Sequence, residues 1–149
     1  SQVQFLENQI DEAKSKGAVV LTGGKRVAGK GYFFELTVLV NVNHQMEIMR
    51  EESFGPVIGI MKVSGDEEAI QLMKDTAYGL TAAVYSRDEK RATDILAQVD
   101  AGTGYWNCCD RVSAALPWSG RGHSGFGATL SHAGLRAFTK PKSYHLRKA

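Results

Sequence analysis

Glu51-Glu52-Ser53-Phe54-Gly55-Pro56-Val57 sets two carboxylates, an aromatic ring and a Gly-Pro turn immediately ahead of an apolar run. A carboxylate accepts hydroxyl hydrogen bonds and a ring stacks on another flat ring, so the segment can grip a hydroxylated, ring-bearing ligand at a sheet edge. By spacing alone it reads rather as an exposed acidic loop with a core phenylalanine. The thiols Cys108 and Cys109 are the other candidates. Adjacent residues on a strand face opposite sides, so one thiol can line a pocket while the other is buried. A nucleophilic role needs a base or a positive field to form the thiolate, and nothing in the sequence places one there. The pair lacks the C-x₂-C spacing of a zinc knuckle, and His44, His123, His132 and His145 are too dispersed for a local metal signature.

Two glycine patterns fail on context. Gly24-Lys25-Arg26-Val27-Ala28-Gly29-Lys30 matches most of a phosphate-binding loop, but Gly31 stands where a hydroxyl must hold Mg²⁺. The β-rich Tyr32-Phe33-Phe34 follows where a helix is required, so the segment reads as a basic glycine-rich hairpin or loop. Gly120-Arg121-Gly122-His123-Ser124-Gly125 spells G-x-G-x-x-G. It follows Leu116-Pro117-Trp118-Ser119 rather than a strand, and Lys140 and Lys142 stand where an acidic residue belongs about 20 positions on.

The chain that must position these groups has 149 residues, 43% apolar and 23% charged. That length is one domain or a substantial piece of one at ~100–200 residues per domain. Such a chain buries about 68–70% of its unfolded surface and needs no disulfide staples. Two neighbouring cysteines do not make a secreted disulfide framework and fit a reducing compartment, which points to the cytoplasm. No apolar run approaches the ~18 residues of a membrane span, and Ser1-Gln2-Val3-Gln4 has no signal-peptide character. A net charge of +2 is too balanced to argue for nucleic acid. The amphipathic pattern begins within three residues of Ser1, an abrupt start that suggests a piece of something longer.

Helices and strands alternate. Val3, Leu6, Ile10 and Ala13 predict a helix from about Val3 to Lys16, stopped by Gly17. Ala18 to Leu21, Tyr32 to Val42, Pro56 to Val63, Thr81 to Tyr85 and Gly102 to Trp106 read as strands. Ser64-Gly65-Asp66-Glu67 and Ser86-Arg87-Asp88-Glu89 each offer a capping box. The first should open a helix reaching about Tyr78 and burying Ala69, Ile70, Met73 and Ala77. The second should open one with the stripe Ala92, Ile95, Leu96, Val99. This alternation predicts an α/β fold with a mainly parallel sheet covered by helices. No repeat or linker divides the chain. From Asn107 to His132 the sequence is loop-like and glycine-rich, and loops at strand ends are where function sits in open α/β sheets.

Several ordered motifs at compatible spacing carry a resemblance that extends over nearly the whole chain. Glu51-Glu52-Ser53-Phe54-Gly55-Pro56 resembles the Glu-Glu-x-Phe-Gly-Pro signature of the NAD(P)-dependent aldehyde dehydrogenase superfamily. Tyr78-Gly79-Leu80-Thr81-Ala82-Ala83-Val84 is similar to that family's Tyr-Gly-Leu-x-Ala-x-Val. Ala101-Gly102-Thr103 through Asn107 is similar to its Ala-Gly-x-x-x-x-Asn. Pro117-Trp118-Ser119-Gly120 with Ser124-Gly125 is similar to Pro-Phe-Gly-Gly-x-x-x-Ser-Gly. Leu36 replaces the proline of the family's Pro-Thr-Val segment, and Trp118-Ser119 replaces Phe-Gly, a change of pocket shape.

The resemblance implies a C-terminal portion of an aldehyde dehydrogenase catalytic domain over residues 1–149. It makes Glu52 an acceptor for hydroxyls of the nicotinamide ribose and places Phe54 beside the nicotinamide of NAD or NADP. Trp118 takes the aromatic position on the substrate tunnel, and Asn107 to Asp110, with Cys108 and Cys109, approach that tunnel as a loop. Ser143 to Arg147 becomes a C-terminal strand in an intersubunit sheet, hence a homo-oligomer. In the family mechanism a cysteine thiolate attacks the aldehyde, the hemithioacetal gives hydride to NAD(P)⁺, and activated water releases the acid. The resemblance puts that cysteine, the general-base glutamate and the Rossmann cofactor domain upstream of these residues, so this chain alone should be inactive. A rival from another class is a non-catalytic assembly module of the same fold. An in-frame upstream cofactor domain and cysteine motif would decide for the enzyme.

Overall fold

Helix α1 (Gln2–Ser15) buries Val3, Leu6, Ile10 and Ala13, the stripe expected from their spacing. Each large aliphatic side chain so buried stabilises the fold by about 1.5–3 kcal/mol. Gly17, at φ +98°, ends the helix in a Schellman arrangement, with the Ala18 N–H on the Ala13 carbonyl (2.9 Å) and the Gly17 N–H on that of Lys14 (3.0 Å). Gln9 is fully buried on this helix, and its amide finds no hydrogen-bond partner among the described residues.

The computed structural model describes residues 2–109 and 111–148. It divides into two units between Thr76 and Ala77, although no linker composition marks that junction.

In the first unit, β1 (Val19–Thr22), β2 (Thr37–Val40) and β3 (Val57–Ile60) form a sheet in that order. β1 and β2 run antiparallel, while β2 and β3 run parallel in register from Thr37↔Val57 to Val40↔Ile60. Ile10, Ala13, Ala18, Leu39, Val42, Met46 and Ile48 make the core. The phosphate-loop look-alike lies in the connection between β1 and β2. Its Val27 N–H reaches the Phe33 carbonyl (3.0 Å) and the Glu35 N–H that of Lys25 (3.1 Å), which makes it a hairpin with no helix behind it.

Helix α2 (Asp66–Lys74) starts at the expected place with a different cap. Glu68, not Glu67, takes both the hydroxyl and the backbone N–H of Ser64, each at 2.6 Å. The hydroxyl first and the N–H second hold the Glu68 carboxyl below its usual pKa. The helix stops at Lys74, short of Tyr78; Ala69, Ile70 and Met73 are half-buried and Ala77 is exposed.

In the second unit, β4 (Thr81–Val84) and β5 (Thr103–Trp106) pair in parallel across α3 (Glu89–Leu96). α3 buries Ala92 and Ile95, and its cap is Asp88, which accepts the Arg91 N–H at 2.9 Å. Ser86 stands two residues too early and instead accepts the Asp88 N–H. Two of the three strand pairings are thus parallel, as expected of this α/β chain, but they are shared between two small sheets rather than one.

The Gly120–Gly125 segment starts no helix. It is a turn sewn to the entry of β4: the Arg121 N–H bonds the Gly79 carbonyl (3.0 Å), the His123 N–H that of Ala77 (2.8 Å), and Ser124 Oγ accepts the Gly79 N–H (3.1 Å). A six-residue helix, α4 (Ser131–Arg136), begins inside the Asn107–His132 stretch that reads as loop and runs on past it. Ser143 to Arg147 is not a strand here, because it has no ladder partner among the described residues.

Candidate functional site

The Glu51–Pro56 loop is fixed at both ends. Upstream, a single 3-10 turn (Glu47–Met49) is prolonged as the Arg50 and Glu51 N–H groups return to the Glu47 carbonyl (3.0 and 2.8 Å). Downstream, the Pro56 carbonyl accepts the Thr37 N–H at 2.9 Å, which ties the loop to the head of β2 just before β3 begins. Helix α1 supports the middle. The Gln2 side-chain amide donates to the Ser53 carbonyl, and Gly55 lies so close to Leu6 that a Cβ there would stand 2.5 Å from Leu6 Cδ1.

Between these supports Glu52 and Phe54 are exposed. Phe54 is not the core residue that its apolarity suggested. It sits at φ +46° and is 81% exposed. A bulky residue in the left-handed region is an outlier costing of order 1–3 kcal/mol. Leaving the ring in water also forgoes the ~1.5–3 kcal/mol that burial would give. Neither cost has a return among the described contacts of the loop. Glu52 has no hydrogen bond or ion pair among the described residues, so both its oxygens are available as acceptors.

The remaining sequence candidates lie in the second unit. Trp118 is half-buried and held by a two-way bridge to Thr129, with N–H to carbonyl distances of 2.8 and 2.9 Å. Cys108 and Cys109 follow the end of β5, so the opposite-faces argument for adjacent strand residues does not apply. Both are free thiols, Cys108 half-buried and Cys109 exposed, so neither is a buried structural cysteine. Their loop leaves the sheet through Asn107 at φ +52°, whose side chain clasps Ser86 twice, at 2.9 Å each. It is tied again where the Tyr105 hydroxyl donates to the Arg111 carbonyl (2.9 Å). Asp110, expected on the same loop, lies outside the described residues. No hydrogen bond or ring contact joins Trp118 to either cysteine among the described residues, and no cluster there could hold a metal ion.

Sequence reasoning passed over a groove of about 540 Å³ beside α4, walled by Ala115, Leu130, Leu135 and Phe138. Its signal was the i, i+4, i+8 spacing of Leu130, Gly134 and Phe138, hidden because Gly134 and the short length argue against a helix. Gly134 is required there: a Cβ would stand 2.6 Å from the Thr129 carbonyl carbon.

The aldehyde dehydrogenase family model matches residues 1–144. A peroxisomal aminoaldehyde dehydrogenase of Pisum sativum is 42% identical over 95% of the chain, and the chloroplastic betaine aldehyde dehydrogenase of Beta vulgaris is 38% identical over 89%. Among solved structures, Staphylococcus aureus betaine aldehyde dehydrogenase in complex with NAD⁺ superposes with a TM-score of 0.85 at 37% identity, covering 92% of this chain. A lactaldehyde dehydrogenase reaches a TM-score of 0.94 at 31% identity over 99% of it. The chain spans 29% and 27% of the length of the two plant relatives, and 28% and 31% of the two solved chains. No helix among the described residues is long and apolar enough to cross a membrane.

Proposed function

The chain belongs to the aldehyde dehydrogenase family, and from that premise we propose that it is part of an enzyme oxidising an aldehyde to a carboxylic acid with NAD⁺ or NADP⁺. The carrying observation is the braced loop that leaves the Glu52 carboxylate and the strained Phe54 ring in solvent. An acceptor two residues from an exposed flat ring suits a sugar hydroxyl and a nicotinamide. Two adjacent carboxylates repel phosphate, so the rest of the dinucleotide is held by other segments. Glu52 accepts from the nicotinamide ribose hydroxyls and Phe54 packs beside the ring, fixing its position against the aldehyde carbon. The bound cofactor supplies the hydride acceptor. Trp118, with Cys108 and Cys109, lines the aldehyde tunnel, while the nucleophilic cysteine, its general base and the Rossmann domain belong to other parts of the protein. A cytoplasmic location is part of this proposal and rests on the unlinked thiols.

Aldehyde-dependent NAD(P)H formation tests the reading. The full-length gene product is expected to turn over at least one of a panel of aliphatic, aromatic and amino aldehydes; no turnover with either cofactor would contradict it. The 149-residue chain alone is expected to form no NAD(P)H. Turnover by the chain that disappears in Cys108→Ala or Cys109→Ala would instead make that pair the nucleophile.

Homo-oligomerisation through the tail belongs to the same proposal. The backbone groups of residues 143–147 have no backbone hydrogen-bond partner among the described residues, and Tyr144 and Leu146 are exposed. Such a segment satisfies its donors and acceptors by adding to another strand. Light scattering of the full-length protein with residues 143–147 present or deleted is the check. The intact form should be an oligomer and the shortened form should lose mass; equal masses would rule out the tail as the main contact.

A further inference from the structure

The buried face of α1 serves two places. Ile10 and Ala13 belong to the core cluster with Leu39, Val42, Met46 and Ile48. Leu6 stands outside that cluster, yet it is only 2% exposed and lies against Gly55. One turn earlier, Gln2 donates its side-chain amide to the Ser53 carbonyl. The two contacts fall on the residues immediately before and after Phe54. With its ring in solvent, Phe54 cannot hold its own left-handed backbone by packing, so the restraint must come from its neighbours.

We infer that Leu6 and Gln2 are positioning residues of this enzyme, clamping the Ser53–Gly55 backbone so that Glu52 and Phe54 keep the placement needed for cofactor binding. The inference rests on the reading of this loop as the nicotinamide grip. Leu6 fills the space beneath Gly55, and Gln2 fixes the direction of the preceding peptide. Neither touches the cofactor. Loosening either lets Phe54 relax out of the left-handed region, and a displacement of ~1 Å at a reacting pair can cost about 10²-fold in rate.

The test is a steady-state and stopped-flow series on the full-length protein, read as the split between cofactor KM, aldehyde KM and the hydride-transfer rate. Leu6→Ala should raise the cofactor KM and slow hydride transfer, each on the order of tenfold, and leave the aldehyde KM unchanged. Leu6→Met, which keeps the volume, should restore both. Gly55→Ala alone should impair the same two quantities by pressing on Leu6, and Leu6→Ala/Gly55→Ala should recover part of the loss because the new Cβ enters the vacated space. A Leu6→Ala enzyme that unfolds at lower temperature but keeps both cofactor KM and hydride-transfer rate would overturn the inference, as would strictly additive losses in the double variant. Glu52→Gln run alongside separates the failures. If it too is silent, the loop is no cofactor grip; if it alone is impaired, only the clamp is wrong.

Discussion

Glu52→Gln in the full-length enzyme is expected to slow hydride transfer by about ten- to a hundredfold and to weaken cofactor binding, with a smaller effect on aldehyde KM. The carboxylate is exposed and free of partners among the described residues, so its acceptor capacity is unspent before a ligand arrives. A hydrogen bond to a charged acceptor is worth about 1.5–3 kcal/mol, and each ~1.4 kcal/mol of lost transition-state stabilisation is tenfold in rate. Glutamine keeps the shape but replaces one acceptor oxygen by a donor and removes the charge. Stopped-flow NAD(P)H formation and cofactor titration are the measurements. Values equal to those of the parent protein would remove Glu52 from the site.

Gly102→Ala should be the most damaging single-methyl change in the second unit, destabilising it by about 3 kcal/mol or more, at or beyond the upper end of ordinary overpacking. A Cβ at Gly102 would stand 1.6 Å from the Ser119 carbonyl oxygen and 2.6 Å from its carbon, both backbone atoms with no side-chain freedom to yield. The 119–125 turn would have to move. That breaks its hydrogen bonds to Ala77 and Gly79 and, with them, the placement of Trp118 one residue before. Gly104→Ala is the control, because its Cβ would meet Leu96 Cδ2 at 3.4 Å, an ordinary contact. Urea unfolding should show a large fall in midpoint for the first variant and a small one for the second. Equal midpoints would show that the turn yields freely and that the close approach is not a constraint.

What could be read from the residues was the part governed by periodicity and by backbone chemistry. The α1 stripe and its Gly17 stop, the five strand positions and the hairpin at Gly24–Lys30 follow from spacing, β-branching and glycine. The capping boxes misled because a second acidic residue stands beside the expected partner at each of the two helix starts. Asp88 outcompeted Ser86, and Glu68 outreached Glu67, through positions within the turn that differ by one or two residues. Helix α4 was invisible because its six residues include a glycine required by contact with Thr129, a tertiary fact. The tail, read as a strand by resemblance, has no ladder among the described residues, since a strand depends on a partner that the segment does not contain.

The site shows the same division. Residue types placed a carboxylate and a ring in one loop, and resemblance gave them roles. Phe54 is exposed at a positive φ, between contacts on Ser53 and Gly55 that come from some fifty residues earlier in the chain. An aromatic residue next to Gly-Pro is apolar enough to be read as core, and only the fold shows it turned outward. The cysteines moved the other way: adjacency suggested opposite faces of a strand, while β5 ends at Trp106 and leaves both thiols on a loop.

The most direct test of the account is a crystal structure of the full-length protein with NAD⁺ or NADP⁺ bound. The Glu52 carboxylate should lie within about 2.5–3.0 Å of the nicotinamide ribose hydroxyls, the ordinary range for O–H···O hydrogen bonds, with the Phe54 ring packed beside the nicotinamide. A bound cofactor whose ribose is held by other residues, with Glu52 still in solvent and Phe54 turned away, would contradict it.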